Sequence, residues 1–236
     1  LDYGIIGAGS PLVDVKFEDP VTGWDPKNYN PNQELGIIPA RQAVASSQNL
    51  SVGRLYISIL DRRPATYLEK MGFSKLQPED YENQSTVLGG LAIGASVEEN
   101  TNAYATFANN GQFIDAYMIE RIEDLDGNII YEHTVEPEKV FAPETAYMMT
   151  DMLRDVMKQG GTATLAKSQL KFSSDFAAKS GTTEEHKDVW LVGYNPNISV
   201  GVWMGYEKQR TLYAFNNRYQ HPSNRVNRLW ANYLNA

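Results

Sequence analysis

The chain has 236 residues, 42% of them hydrophobic and 11% aromatic, enough apolar matter for one large domain with its own core. A net charge of −8 leaves no basic stripe to neutralise phosphates, so nucleic acid is excluded as a general partner. The absence of cysteine excludes disulfides, thiolate catalysis and cysteine-ligated zinc, and no apolar run approaches the ~20 residues that cross a bilayer.

In chain order, Leu1 to Ser10 is apolar and glycine-rich and reads as the tail of a helix, broken at Gly7 and Gly9. Residues 13–32 are polar, with Pro20, Pro26 and Pro31, and predict loop with at most short strands. Pro39 opens a run of good helix formers to Ala45, which gives way at Ser46-Ser47-Gln48-Asn49. Leu50, Val52, Leu55, Tyr56, Ile59 and Leu60 then follow helical spacing, so Ser47 and Asn49 fall at the joint between two helices. A third short helix is expected over residues 64–71, stopped by Gly72.

Residues 88–95 make a glycine-punctuated loop, and Ser96-Val97-Glu98-Glu99 is a capping box that starts a helix ending at Asn110-Gly111. Asp126-Gly127 signals a hairpin between residues 117–123 and 128–132. From Pro143 a longer helix carries Tyr147, Met148, Met152, Leu153, Val156 and Met157 on its packed side, up to Gly160-Gly161. Two strands, Val189 to Tyr194 and Ser199 to Tyr206, turn at Asn195-Pro196-Asn197. A last helix from Pro222 sets Val226, Leu229, Trp230, Tyr233 and Leu234 on one face. Helices first and an antiparallel sheet late give an α+β architecture.

Candidate chemistry sits in two places. Lys179-Ser180-Gly181-Thr182-Thr183 ends the apolar run Phe176-Ala177-Ala178 and precedes a neighbouring strand, which makes it an edge. There Lys179 can hold a carboxylate, the hydroxyls can donate to it, and Gly181 lets a ligand backbone lie close. Ser47-Gln48-Asn49 is the second. Each has a plain structural explanation as well: Ser and Asn are common where helices stop, and Lys-Ser-Gly can simply end a strand. His133, His186 and His221 are isolated in sequence, so no metal site is expected and His186 reads as a solvated loop residue. Glu184-Glu185 and Asp124/Asp126 read as surface charge, and Arg210, Arg218, Arg225 and Arg228 as a solvated surface.

Together, in this order and on these elements, the two motifs resemble those of the serine acyltransferases that bind penicillin. That family carries S-x-N between two helices of a helical lobe and K-[ST]-G on a strand edge facing it. Three further stretches are similar to class A, bifunctional penicillin-binding proteins. They are Ala103 to Gly111 with Asp126-Gly127, Thr145 to Leu153, and Asp188, Trp190, Val192-Gly193-Tyr194 with Gly201 to Tyr206. The resemblance covers about Pro39 to Tyr206 and points to the C-terminal part of a class A transpeptidase domain, from a Gram-positive coccus.

The resemblance implies a penicillin-binding/serine β-lactamase-like fold, a helical lobe packed on an antiparallel sheet. It implies a DD-transpeptidase that cross-links peptidoglycan stem peptides ending in D-Ala-D-Ala through a serine acyl-enzyme, binds β-lactams and needs no cofactor. The site would face the extracytoplasmic side of the membrane. Ser47 would relay protons, and Asn49 would hold a catalytic lysine and the substrate's peptide group. Lys179, Ser180 and Thr182 would bind the terminal carboxylate. The Thr182 N–H would form half of an oxyanion hole, with Gly181 giving room and Thr183 giving local support. A β-lactamase or DD-carboxypeptidase of the same superfamily and a non-catalytic β-lactam sensor are the alternatives; the Asp188/Trp190 and Gly201 to Tyr206 pattern favours the synthase.

One departure matters. The family's nucleophile belongs to an S-x-x-K motif upstream of S-x-N, and none precedes Ser47 here. The one match, Ser168-Gln169-Leu170-Lys171, lies between the other two motifs. Leu1 to Gly9 resembles the segment shortly after the true motif. Residues 1–236 are therefore expected to be a transpeptidase-domain fragment, inactive alone. Its nucleophile, any glycosyltransferase domain and the membrane anchor would lie in an N-terminal remainder of the same protein.

Overall fold

Residues 1–10 make turns rather than the end of a helix, and the helix they serve explains why. The carbonyls of Ala8 and Ser10 accept from the N–H groups of Arg41 and Ala40, both at 2.9 Å. Those are first-turn donors of a helix whose N-cap, Pro39, offers no side-chain cap. A helix running through Ala8 would turn its carbonyls to its own ladder and leave these donors bare. The computed structural model describes residues 1–212 and 221–236, so Arg218 lies outside the described residues.

Strands β1 (Pro11–Asp14) and β2 (Gly36–Pro39) pair antiparallel, with Leu12 opposite Ile38. β2 runs straight into α1 (Ala40–Ala45), and α2 (Asn49–Ile57) follows after a three-residue joint. Leu12, Ile38, Ala40 and Ala43 form the small core beneath them. The stretch expected as the end of α2 becomes a separate 3-10 turn at Leu60–Arg62, followed by α3 (Thr66–Lys70). Two further 3-10 turns, Pro78–Tyr81 and Gln84–Leu88, lead to α4 (Val97–Ala108). Its capping box forms as expected: Ser96 Oγ accepts from the Glu99 N–H at 3.0 Å, and Glu99 Oε2 accepts from the Ser96 N–H at 2.8 Å.

Between α4 and α5 the chain makes β3 (Gln112–Phe113), the hairpin β4 (Arg121–Glu123) and β5 (Ile129–Glu132), and β6 (Glu138–Lys139), which returns to pair with β3. α5 (Pro143–Arg154) continues as a 3-10 turn, Asp155–Met157. A short helix that the pattern did not announce, α6 (Thr164–Gln169), precedes β7 (Ala177–Thr182). β8 (Val189–Asn195) and β9 (Ile198–Met204) complete an antiparallel sheet in the order β7-β8-β9, and α7 (Pro222–Leu234) closes the chain.

The sheet is covered on both faces. Adjacent strand residues point to opposite sides. A Cβ at Gly193 would meet the Trp230 ring of α7 at 2.6 Å, while the Tyr194 hydroxyl bonds Thr150 of α5 at 2.9 Å and its ring stacks on Phe107 of α4. Trp230, Val226 and Leu191 are wholly buried, and the Trp230 indole N–H donates to the Val200 carbonyl at 3.0 Å. Burying a side chain of this size contributes on the order of 3 kcal/mol. Two expected core positions of α7 are not in it: Leu229 is 50% and Tyr233 65% exposed. Both flank a groove beside β9. Tyr147 of α5 is exposed too, because Ala146, Met152 and Leu153 take the buried side of that helix. Arg225 and Arg228 are half-buried and partnered on α7 rather than freely solvated, since one side of that helix is packed against the sheet. Among the described residues no helix is long and apolar enough to cross a membrane.

Candidate functional site

Among the described residues β7 is an edge of the sheet, so the backbone groups on its outer side have no described neighbouring strand to bond. Lys179 lies mid-strand opposite Val192. Its ammonium donates to Ser47 Oγ at 2.8 Å and to the Ser180 carbonyl at 2.7 Å, which uses two of its three hydrogens. Burial alone brings its pKa down to about 8, and among the described residues no carboxylate neutralises it. A desolvated cation with a spare donor favours an incoming anion.

Ser47 faces it across the cleft. The sequence stops α1 at Ala45 and restarts at Asn49, and Ser47 spans the joint with φ of 55°, a left-handed conformation that a serine adopts only when its surroundings hold it there. Because Ser47 Oγ accepts from Lys179, its own hydrogen remains available to donate. Gln48 between them is buried and turned inward, its amide N–H donating to the Ser46 carbonyl. Asn49 is the first residue of α2. Its side-chain amide donates to the Lys27 carbonyl at 2.7 Å, so the loop before β2 holds it.

Of the other expected residues, Ser180 shares a 2.6 Å hydrogen bond with Thr162, and Thr182 lies 3.4 Å from Ser223 of α7, hydroxyl to hydroxyl. Gly181 faces Trp190 with ordinary space around it, so its missing side chain leaves the cleft side of the edge open. Thr183 is turned to the loop: its hydroxyl accepts from the Asp188 N–H at 2.8 Å, and its own N–H donates to the Asp188 carbonyl at 3.0 Å. Asp188 in turn accepts from the Trp203 indole at 3.0 Å.

Thr162 is a residue the sequence reading missed. Its hydroxyl meets Ser180 on one wall, and its N–H donates to the Ala45 carbonyl at the end of α1 on the other. A Cβ on the preceding Gly161 would collide with the Val156 carbonyl, so this tight approach needs a glycine. The Gly160-Gly161-Thr162 run carries that signal, which from the sequence reads only as a helix stop.

Ser168-Gln169-Leu170-Lys171 does not join the cleft. The Ser168 hydroxyl donates back to its own helix at Leu165, and Asn235 fastens the segment to the end of α7 through the Gln169 carbonyl and the Lys171 N–H. The histidines, isolated in sequence, do not all stay apart in the fold. His133 stays with Tyr117 and Tyr131, but His186 and His221 lie with ring centroids 4.8 Å apart and share Tyr29. They are far apart in sequence, and only the fold brings the end of β7 to the start of α7.

A Lys-Ser-Gly-Thr edge strand facing a Ser-x-Asn turn between two helices, on a sheet covered by helices on both faces, is the penicillin-binding fold. The family model for the penicillin binding protein transpeptidase domain matches residues 12–225, and the chain belongs to that family. It is 31% identical over 268 residues to penicillin-binding protein 1A of Pseudomonas aeruginosa, covering 90% of this chain and 31% of that protein. It is 35% identical over 191 residues to penicillin-binding protein 1F of Bacillus subtilis, covering 78% and 25%. The chain thus spans about a quarter to a third of the length of these curated relatives. Penicillin-binding protein 1A from Haemophilus influenzae has the same fold, with a TM-score of 0.80 at 22% identity over 98% of this chain and 39% of that one. So does PonA1 from Mycobacterium tuberculosis, solved in complex with penicillin V, with a TM-score of 0.79 at 21% identity over 98% of this chain and 63% of that one.

Proposed function

We propose that this chain forms the carboxylate-binding and proton-relay walls of a peptidoglycan DD-transpeptidase that also takes β-lactams. The observation that carries this reading is Lys179, a half-buried, desolvated ammonium with no counter-charge among the described residues, bonded to Ser47 Oγ. The terminal carboxylate of a D-Ala-D-Ala stem peptide, or its β-lactam equivalent, supplies the missing anion. Ser180 and Thr182 add hydroxyl donors, and Gly181 lets the acyl group approach the strand. A preorganised N–H such as that of Thr182 stabilises the tetrahedral oxyanion by about 3 kcal/mol. Ser47, accepting from one side and donating from the other, passes the proton to the leaving amine. Asn49 is held by Lys27 in the free protein and would turn to the substrate amide.

The nucleophilic serine and its lysine come, in this reading, from chain outside these residues, an N-terminal remainder that also carries the anchor to the extracytoplasmic face of the membrane. An open surface supports this. Among the described residues β9 has no strand on its outer edge, and beside it a groove of about 890 Å³ is lined by Val97, Thr101, Val200, Val202, Leu229 and Tyr233. A strand from the remainder would pair the edge and cover the two exposed residues of α7.

Labelled penicillin tests the proposal. Covalent label is expected on the protein with its remainder restored and none on the 236-residue chain alone. Label on the chain alone would overturn the missing nucleophile, and no label on the restored protein would overturn the enzyme reading in favour of a silent binding module.

A further inference from the structure

The Tyr29 hydroxyl lies 3.2 Å from His186 Nε2 and 3.3 Å from His221 Nε2. The two imidazoles meet edge to face, with an interplanar angle of 83°, and each places Nε2 within hydrogen-bonding distance of the same Tyr29 oxygen. Ligands at 2.0–2.1 Å around a tetrahedral zinc stand about 3.3–3.4 Å apart. The two N···O separations, 3.2 and 3.3 Å, are close to edges of such a tetrahedron. From this convergence we propose that Tyr29, His186 and His221 form a binding site for one imidazole-seeking divalent metal ion of the zinc class, with water in the remaining position.

The three ligands stand on fixed supports. His186 is held by its N–H to the Thr183 carbonyl at 3.1 Å and by its carbonyl to the Leu212 N–H at 2.9 Å. The His221 carbonyl caps α7, accepting from Asn224 and Arg225. Tyr29 follows Asn28, which is buried and bonded to Asp14. Tyr29 is 69% exposed, so an ion can reach the site from solvent. Nitrogen ligands and a phenol select zinc, copper or nickel over magnesium and calcium, which prefer all-oxygen shells. The Arg225 charge beside His221 opposes a dication and limits the affinity.

The position gives the site a consequence. Tyr29 belongs to the loop whose Lys27 carbonyl holds Asn49, and His186 follows Thr183 on the opposite wall. A bound ion would tether the two walls at one end of the cleft.

Cobalt(II) is the probe, because tetrahedral cobalt absorbs visibly. The protein is expected to bind one Co²⁺ with such a band, and zinc should displace it. His186→Ala and His221→Ala should each lower Co²⁺ affinity at least about tenfold, while His133→Ala leaves it unchanged. Co²⁺ affinity equal in the wild type and the folded His186→Ala/His221→Ala double variant would overturn the site. A second measurement needs no variant: zinc should protect His186 and His221, and not His133, from diethyl pyrocarbonate, mapped by mass spectrometry. Equal modification with and without zinc would also overturn it.

Discussion

The strand wall of the cleft is fixed from behind by apolar packing. Ala177 and Ala178 are buried at the root of β7, the β8 ladder runs its full length, and Phe176 and Trp230 pack beneath. The opposite wall hangs on buried polar atoms. Asp14, wholly buried, accepts from Asn28 Nδ2 and from the Leu35 N–H, and Asn28 Oδ1 accepts from the Leu50 N–H at 3.1 Å, one residue beyond Asn49. Asp19 with Gln84, and Asp80 with Gln77 and Ala92, fasten the neighbouring loops in the same way. Apolar packing tolerates small shifts. A polar network holds its geometry only while every partner is present. One wall should therefore be robust and the other sensitive to single atoms.

The largest expected effect lies where the walls meet. In the longer, penicillin-acylated protein proposed above, Lys179→Ala should slow acylation by penicillin about 10²–10³-fold, the scale of a lost charged contact that operates in the transition state. Thermal stability should stay level or rise, because the variant removes a desolvated charge that no carboxylate among the described residues neutralises. A pKa of about 8 means the ammonium is present below that pH and lost above it. Acylation measured at low drug concentration should therefore decline on the alkaline side with a midpoint near 8. A profile flat to pH 10 would show that this cation is not what recognises the ligand.

The contrast between the walls breaks or holds on a pair of variants. Asp14→Ala removes the carboxylate acceptor of the Asn28 amide, which keeps only the Gln33 carbonyl, and strands the Leu35 N–H, and should cost about 2–4 kcal/mol in denaturant titration. It should also lower acylation per folded molecule, since the N-terminus of α2 loses its anchor. Trp230→Phe removes the bond to the Val200 carbonyl and some ring volume, for about 1–2 kcal/mol. Acylation per folded molecule should not change. If both variants lower acylation alike, the walls are not held differently.

The same division decides what the sequence could reveal. On the apolar side, the strands from 177 to 204, helices α4 and α5, and the Ser96 box follow periodicity and caps that local residues carry. On the polar side, β2 went unread because its four residues, Gly36–Pro39, become a strand only through β1. Asp14 gave no sign of burial, since a carboxylate is buried only when distant donors gather around it, and these come from residues 28 and 35. Ser47, Asn49 and the residues from Lys179 to Thr183 could be picked out as motifs, and the fold brings Lys179 within hydrogen-bonding distance of Ser47. Thr162 and the His186–His221 pair could not, because each exists as a feature only across long sequence separations.

Thr162→Val tests a smaller link between the walls. The change keeps the shape and removes the hydroxyl bonded to Ser180, worth about 1 kcal/mol. Acylation should slow about fivefold, in line with that energy. No change would mean that Ser180 is positioned by β7 alone.

The smallest expected effect comes from a place where polar fastening reaches the sheet side. Glu99 of α4 accepts from the Ser74 hydroxyl at 2.6 Å as well as from the Ser96 N–H, and these bonds bring its pKa down from 4.5 to about 2. A depressed carboxylate stabilises the fold above its unfolded pKa and loses that contribution as pH falls through the folded one. Because Glu99 is half exposed, solvent screening limits its contribution to about 0.5–1 kcal/mol. Ser96→Ala should cost about 1 kcal/mol at neutral pH through the lost cap. The advantage of the wild type over Glu99→Gln should shrink between pH 4.5 and 2 in urea titrations. An advantage independent of pH over that window would assign the stabilisation to the shape of the cap and not to the charge of Glu99.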